Sequence, residues 1–506
     1  MTLPNSPDGR APAGITPDTS LTAEDLAIGA QAVARWARET PDAVAVVEGV
    51  MSWSYRALAT HIVQAGVMLR RGGLRPGMVI GIQSELQYSQ LVLILATEVT
   101  GASHLSLAPS DLTGDDELLK RCDMLCIETT TESTARHPCA IELSSRLLDD
   151  ISTIEVTASA LQALDAGYSP DSILRIGPTS GTTGSKKFTY DTPRSVATKH
   201  RSVEYTLKYD RRRYHFVAAY RFSVQNTYAD TILALRQGVS ATYCNENDFL
   251  TTIRMLPACH SFLLVGDAFR LISEISASSQ RADTCSIRIF GGPVSVPLRA
   301  AIRKNLTNDV IGLYGSTEAG SVAIMEETDI GTLLPDVSAM IVDDDGTPKA
   351  AGEPGIIVVR LPHMNTHYLW DDEQTARSFA NGWFRTSDLG IIPEPGKLIV
   401  LGRADEMIIV GGLKIAPYLI EEQIKALPDV TGAVMTGLEN SLGIGELHVF
   451  IERSDPALDE RIGAGLVALL RRHVVTFAAH YTARFPRTLT GKVRRNVLKA
   501  RLMSGE

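Results

Sequence analysis

The sequence predicts an α/β fold, and three observations carry that prediction. Val79-Ile80-Gly81-Ile82, the helical run Leu86 to Val99 and the extended Ala102 to Leu107 follow one another as strand, helix and strand, the order of a parallel sheet covered by helices. Two further short apolar runs, Ile287-Arg288-Ile289-Phe290 and Val310-Ile311-Gly312-Leu313-Tyr314, each give way to glycines or small polar residues, as buried strands do at their carboxyl ends. Finally, 506 residues at 44% hydrophobic and 21% charged suffice for more than one core, so two or more domains are expected.

Taken in order, residues 1–22 carry Pro4, Pro7, Pro12 and Pro17 among small polar residues, with too little apolar content to pack, and are expected to form a mobile arm. Ala43 to Val47, the turn at Glu48-Gly49 and Met51 to Trp53 predict a hairpin. The helix that follows has a core-facing stripe of Leu58, Ile62 and Leu69 at helical spacing. After Ala339, short β-rich runs (Ala339 to Val342, Ile356 to Val359) alternate with turns at Asp345-Gly346 and Pro354-Gly355, which predicts a small antiparallel or β-barrel-like region. A basic helix from Val493 to Leu502 ends the pattern, its arginines read as a solvated face.

A net charge of −9 argues against a nucleic-acid surface. The six cysteines show neither zinc-ligand spacing nor a Cys-x-x-Cys pair, and the sequence carries no signal-peptide pattern, so reduced thiols and a cytoplasmic location are expected. The longest apolar run, Leu91 to Ala96, is far too short for a membrane span.

Against this ordinary background one stretch stands out: Thr179-Ser180-Gly181-Thr182-Thr183-Gly184-Ser185-Lys186-Lys187 packs five hydroxyls, two glycines and two lysines into nine residues. Glycines let backbone N–H groups approach an anion, hydroxyls add neutral donors and lysine adds positive charge, so the stretch is read as a polyphosphate loop. It is not a Walker loop, because a serine separates Gly184 from Lys186 and Phe188 follows the lysines. The plain alternative is a flexible linker.

Thr-Ser-Gly-Thr-Thr-Gly-x-x-Lys resembles the phosphate loop of the adenylate-forming superfamily of acyl-CoA synthetases, stand-alone adenylation enzymes and luciferases. Four more segments follow in that family's order: Tyr314-Gly315-Ser316-Thr317-Glu318, Gly382 to Asp388, Gly402-Arg403-Ala404-Asp405-Glu406, and Pro486 to Lys492. The resemblance runs from about Trp53 to the C-terminal end, with no motif to anchor residues 110–170. It implies a large adenylation domain over residues 23–402 and a small mobile α+β domain over 403–506, hinged at Asp405. It further implies ATP and Mg²⁺ as cofactors, with a carboxylic acid and coenzyme A as reactants.

On the same resemblance, Gly291, Gly292 and Pro293 meet adenine, Tyr314 stacks on it beside Gly315 and Ser316, and Thr317 reaches the α-phosphate. Glu318 ligates Mg²⁺, Asp388 accepts both ribose hydroxyls, Arg403 lies on the nucleotide side and Lys492 stabilises the transferring phosphate. Gly411 and Gly412 leave room for a thioester arm. Tyr220, Phe222 and Asn226 fall where the family lines its acid pocket, with plain core as the alternative, and Ser223 stands where amino-acid-activating relatives place an aspartate, which disfavours an α-amino acid.

The sequence departs from the family at three places. Lys186 and Phe188 replace a proline and a glycine around the loop lysine, which register assigns as Lys187, and Ser387 replaces a glycine before Asp388. A bulky Phe188 would narrow the loop's exit, while every group needed for adenylation is retained. Transfer to a carrier protein or another nucleophile, and a non-catalytic nucleotide or acid sensor on the same fold, are the competing readings.

Overall fold

The computed structural model describes residues 21–108, 111–112, 116–128, 139–143, 147–165, 168–179, 187–207, 214–275, 280–292, 294, 296–325, 330–404, 408–410, 413–415, 417–439, 445–453, 455–470, 477–487 and 493–504. The fold is α/β, with two sheets enclosing a helical layer and a separate small sheet near the C-terminal end.

Helix α1 (Gly29–Glu39) precedes the hairpin of β1 (Val44–Glu48) and β2 (Met51–Ser54), whose turn is closed by Gly49 at φ +60°. Ser54 then caps α2 (Tyr55–Arg71), its side chain accepting from the Ala57 N–H at 3.2 Å, and Leu58, Ile62 and Leu69 are fully buried along the predicted stripe.

Six strands make the second sheet: β3 (Val79–Gln83), β4 (Ser103–Ser106), β5 (Met124–Glu128), β6 (Ala140–Leu143), β7 (Arg175–Pro178) and β8 (Phe188–Asp191). Their order is β6-β5-β3-β4-β7-β8, parallel throughout except for the antiparallel pair β7 and β8. The connection between β3 and β4 is α3 (Gln87–Thr100), which is buried at every position but Val99. A helix enclosed on all sides must satisfy its termini internally. Here the Glu48 carboxylate accepts from the Gln87 and Tyr88 N–H groups at 3.0 and 2.8 Å, and Gly101 at φ +75° ends the helix.

The large sheet holds the parallel strands β9 (His215–Ala218), β10 (Ala241–Tyr243), β11 (Cys259–Leu264), β12 (Cys285–Phe290) and β13 (Val310–Ser316). It continues without a break into the antiparallel β14 (Gly320–Met325), β15 (Ile330–Leu333), β16 (Ser338–Val342), β17 (Gly355–Arg360), β18 (Phe379–Ala380), β19 (Trp383–Ile391) and β20 (Lys397–Arg403). Spatial order is β16-β17-β19-β20-β15-β14-β13-β12-β11-β9-β10-β1-β2, with β18 paired to β19. The antiparallel region that the β-rich runs predict thus grows directly off β13. The main core joins side chains of α1, α2 and α3 to both sheets.

Beyond β20, β21 (Ile408–Val410) pairs with β22 (Leu413–Ile415), and a three-stranded sheet is formed by β23 (Val430–Glu439), β24 (Gly445–Arg453) and β25 (Phe477–Thr482). Ile408, Ile424, Met435, Val449 and Leu466 belong to a hydrophobic cluster of this part alone. The last helix, Arg495–Ser504, corrects one expectation: Arg495 is not on a solvated face. Its guanidinium grips the buried Glu421 carboxylate bidentately at 2.6 and 2.7 Å, because a carboxylate removed from water needs a paired donor. The six cysteines are free thiols, and no helix of the described residues is long and apolar enough to cross a membrane.

Candidate active site

The neighbouring parallel strands β9, β11, β12 and β13 end together along the carboxyl edge of the large sheet, the place where α/β sheets hold ligands. At the end of β12, Gly291 takes φ +84°, and a Cβ on Gly292 would come within 2.9 Å of Val265 Cγ1. Bare backbone is therefore built into this edge. Gly315 is under a sharper constraint: a Cβ there would lie 2.2 Å from the Gly320 carbonyl oxygen, where β13 and β14 shift register. The hydroxyl of Ser316 accepts from the Ala319 N–H at 3.2 Å and holds the turn between those strands.

The same turn presents Thr317 and Glu318. Thr317 Oγ1 lies 3.5 Å from Glu318 Oε2, while Oε1 accepts a 2.8 Å hydrogen bond from the Tyr368 hydroxyl. Tyr314, on β13, donates to Asp388 Oδ2 at 2.8 Å, and Asp388 faces Arg403 across the β19–β20 register with Arg403 Nε 3.7 Å from Oδ1. Burial, reinforced by the neighbouring Asp388 carboxylate, pushes the Tyr314 phenol well above its usual range, and burial with Glu318 does the same to Tyr368. Both hydroxyls therefore stay protonated donors.

Thr179 and Lys187, at the two ends of the predicted phosphate stretch, adjoin β7 and β8 of the other sheet. Thr179 closes its base by donating its N–H to the Lys187 carbonyl at 2.8 Å, and the Lys187 ammonium stands 5.2 Å from the centre of the Tyr368 ring. Phe188 is buried at the start of β8, against Trp370. Ser180, Gly181, Thr182, Thr183, Gly184, Pro293, Asp405, Gly411, Gly412 and Lys492 lie outside the described residues.

Of the three acid-pocket candidates, Tyr220 follows β9 and is committed on its polar end: its hydroxyl donates to Asp267 Oδ2 at 2.5 Å and accepts from the Leu264 N–H at 2.9 Å. Asn226 is half-buried in the helix Gln225–Gln237. Phe222 has no exposed surface and packs edge-on against Tyr243 in the main core, so it is a core ring. Tyr368 was not visible from sequence, since its partners stand 50 residues away at Glu318 and beyond any local pattern at Lys187.

These residues fit a magnesium nucleotide. Glu318 and Thr317 supply hard oxygens, and among the described residues Glu318 Oε2 has a 3.5 Å contact with the Thr317 hydroxyl. Residues 33–369 of the 506 match the family model described as AMP-binding enzyme. The chain belongs to this family.

Among relatives of this AMP-binding enzyme, the 2-succinylbenzoate–CoA ligase of Geobacillus kaustophilus is 29% identical over 248 residues, 46% of this chain and 49% of the relative. A long-chain-fatty-acid–CoA ligase of Escherichia coli O157:H7 is 28% identical over 197 residues, 37% of this chain and 35% of the relative. The matched segment thus spans about a third to a half of these curated relatives' length. The fold is similar to that of ATP-bound MatB from Rhodopseudomonas palustris, at TM-score 0.79 and 21% identity over 93% of this chain and 98% of that one. It is also similar to MenE from Bacillus subtilis in complex with AMP, at TM-score 0.75 and 19% identity over 93% and 98%.

Proposed function

We propose that this AMP-binding enzyme activates a carboxylic acid with ATP and then passes the acyl group to a thiol, with coenzyme A as the acceptor. The contacts that join Tyr314 to Asp388, and Glu318 through Tyr368 to Lys187, are the observation that carries the reading. The substrate carboxylate forms a new bond from oxygen to the α-phosphorus as the bond to the bridging oxygen of the β-phosphate breaks. Pyrophosphate leaves with that electron pair, and an acyl-adenylate remains.

Little covalent chemistry is asked of the side chains, because charge gathers on phosphate oxygens and the remedy is fixed cations and donors. Asp388 would accept the ribose hydroxyls, Lys187 would lie beside phosphate oxygens and Lys492 would be brought in from the C-terminal part. Magnesium held by Glu318 would supply charge neutralisation between the phosphates. In the second half-reaction a thiol sulfur forms a bond to the acyl carbon and AMP departs. Several relatives named as CoA ligases support coenzyme A over a carrier protein as the acceptor.

We further propose domains of residues 23–402 and 403–506, exchanging orientation at Asp405 between the half-reactions, in a soluble cytoplasmic enzyme. Gly411 and Gly412 would then flank the thiol's approach. Pyrophosphate exchange measured with a panel of carboxylic acids, followed by product analysis with coenzyme A, tests the reading. Acid-dependent exchange and an acyl-CoA product are expected, and the absence of exchange with every acid would overturn it.

A further inference from the structure

We propose that Tyr368 is a positioning residue that sets the Glu318 carboxylate and the Lys187 ammonium in one arrangement for the metal and triphosphate of the nucleotide. The inference rests on the nucleotide-binding role proposed above. Its ground is that one rigid ring serves both groups, its hydroxyl 2.8 Å from Glu318 Oε1 and its centre 5.2 Å from Lys187 Nζ.

The ring is locked. Tyr368 is 3% exposed, its backbone N–H donates to Thr375 Oγ1 at 2.9 Å, and its edge meets Phe379 with ring centres 5.2 Å apart at 69°. The segment around it is tied to both neighbours. Leu369 donates its N–H to the Phe188 carbonyl at 2.9 Å, Asn365 Nδ2 donates to the Tyr190 carbonyl at 2.7 Å, and the Asn365 N–H reaches the Glu318 carbonyl at 3.0 Å. One short piece of chain therefore joins the strand leaving the phosphate stretch to the turn carrying Glu318.

The chemistry suits that role better than a charged partner would. A neutral phenol fixes one carboxylate oxygen without cancelling its charge, so Oε2 keeps its full value as a hard ligand. The electron-rich face steers an ammonium without competing for its hydrogen-bond donors as a carboxylate would. A buried tyrosine satisfied only for its own sake would show the same hydrogen bond, and the test separates the two.

Binding of a non-hydrolysable ATP analogue is measured by calorimetry across a Mg²⁺ titration for the full chain and for Y368F and Y368L, each alone and combined with E318Q or K187M. Y368F keeps the ring and loses the hydroxyl. Because the hydroxyl positions the carboxylate without itself touching the metal, Y368F should raise the Mg²⁺ concentration for half-maximal binding about threefold to tenfold, the range of one ordinary net hydrogen bond, and add no further rise in the E318Q background. Metal-free analogue binding should be unchanged in Y368F and weakened about twofold to fivefold in Y368L, and that weakening should vanish in the K187M background. A Y368F shift that is absent, or equally large with E318Q, overturns the role while leaving nucleotide binding intact. An analogue that fails to bind the unaltered protein overturns both this role and the function on which it rests.

Discussion

Tyr314 and Asp388 stand 74 positions apart in the chain, yet the tyrosine hydroxyl donates to Asp388 Oδ2 across 2.8 Å. The contact orients a carboxylate whose other oxygen lies 3.7 Å from Arg403 Nε and which, on the proposed function, meets ribose. Asp388→Ala removes the carboxylate that accepts from the Tyr314 phenol. We expect nucleotide affinity to fall by about 1.5–3 kcal/mol, roughly tenfold to a hundredfold, as for a hydrogen bond to a charged group. Titration calorimetry with AMP checks this, and unchanged affinity would remove Asp388 from the nucleotide site.

Gly315→Ala is expected to cost more than a surface substitution. Its new methyl group would sit 2.2 Å from a backbone oxygen, which cannot swing aside like a side chain. The register shift between β13 and β14 must open, carrying Thr317 and Glu318 with it. Destabilisation above about 2 kcal/mol and loss of nucleotide binding are expected, read from urea unfolding and from calorimetry.

Lys492→Ala is expected to lower adenylate formation by about 10²–10³ while ATP still binds, the loss that follows removal of one preorganised electrostatic donor. Pyrophosphate release measured beside ATP affinity distinguishes this from misfolding, which would lower both.

Stability should depend on pH through Glu98, which is fully buried and accepts from the Tyr228 hydroxyl at 2.7 Å. Burial pushes its carboxyl up from 4.5 to about 7, only partly offset by that hydroxyl. For an acid raised on folding, the native state holds the proton longer than the unfolded chain. The associated stability is full below pH 4.5 and is lost as pH rises towards 7. Glu98→Gln cannot ionise, so its stability relative to wild type should improve by about 3 kcal/mol between those limits. Unfolding curves at pH 4.5 and 7.5 decide it, and a constant difference would refute the buried charge as the cause.

Asp405→Pro fixes φ near roughly −65° and removes a backbone donor. If the chain turns at this position between half-reactions, thioester formation should fall more than adenylation when each is assayed alone. Equal losses would indicate general destabilisation, and no loss would move the hinge elsewhere.

Much of this was legible in the sequence because it was local. Leu58, Ile62 and Leu69 announce their helix by spacing, and Glu48-Gly49 announces its turn because glycine readily takes φ +60°. The pairings of the site were not legible, since Tyr314 with Asp388 and Tyr368 with Glu318 arise only when distant strands come together. Arg495 misled for the same reason: a basic helix looks solvated until Glu421 is found beneath it. Phe222 carried the opposite ambiguity, because an aromatic beside a ligand edge and an aromatic in a core have the same one-letter signature.

The pairing of β1 with β10 has a consequence for how the protein is made. Val46 aligns with Ala241 and Glu48 with Tyr243, so the strand that joins the first hairpin to the large sheet is translated almost two hundred residues later. At a ribosomal rate of about 5–20 residues per second, the hairpin waits on the order of ten seconds or more for its neighbour. During that interval Val44, Val46 and Met51 have no sheet to join, and the nascent chain presents a two-stranded ribbon that is marginal alone. Ribosome-stalled chains ending before and after residue 243 should therefore differ sharply in protease resistance at residues 44–54.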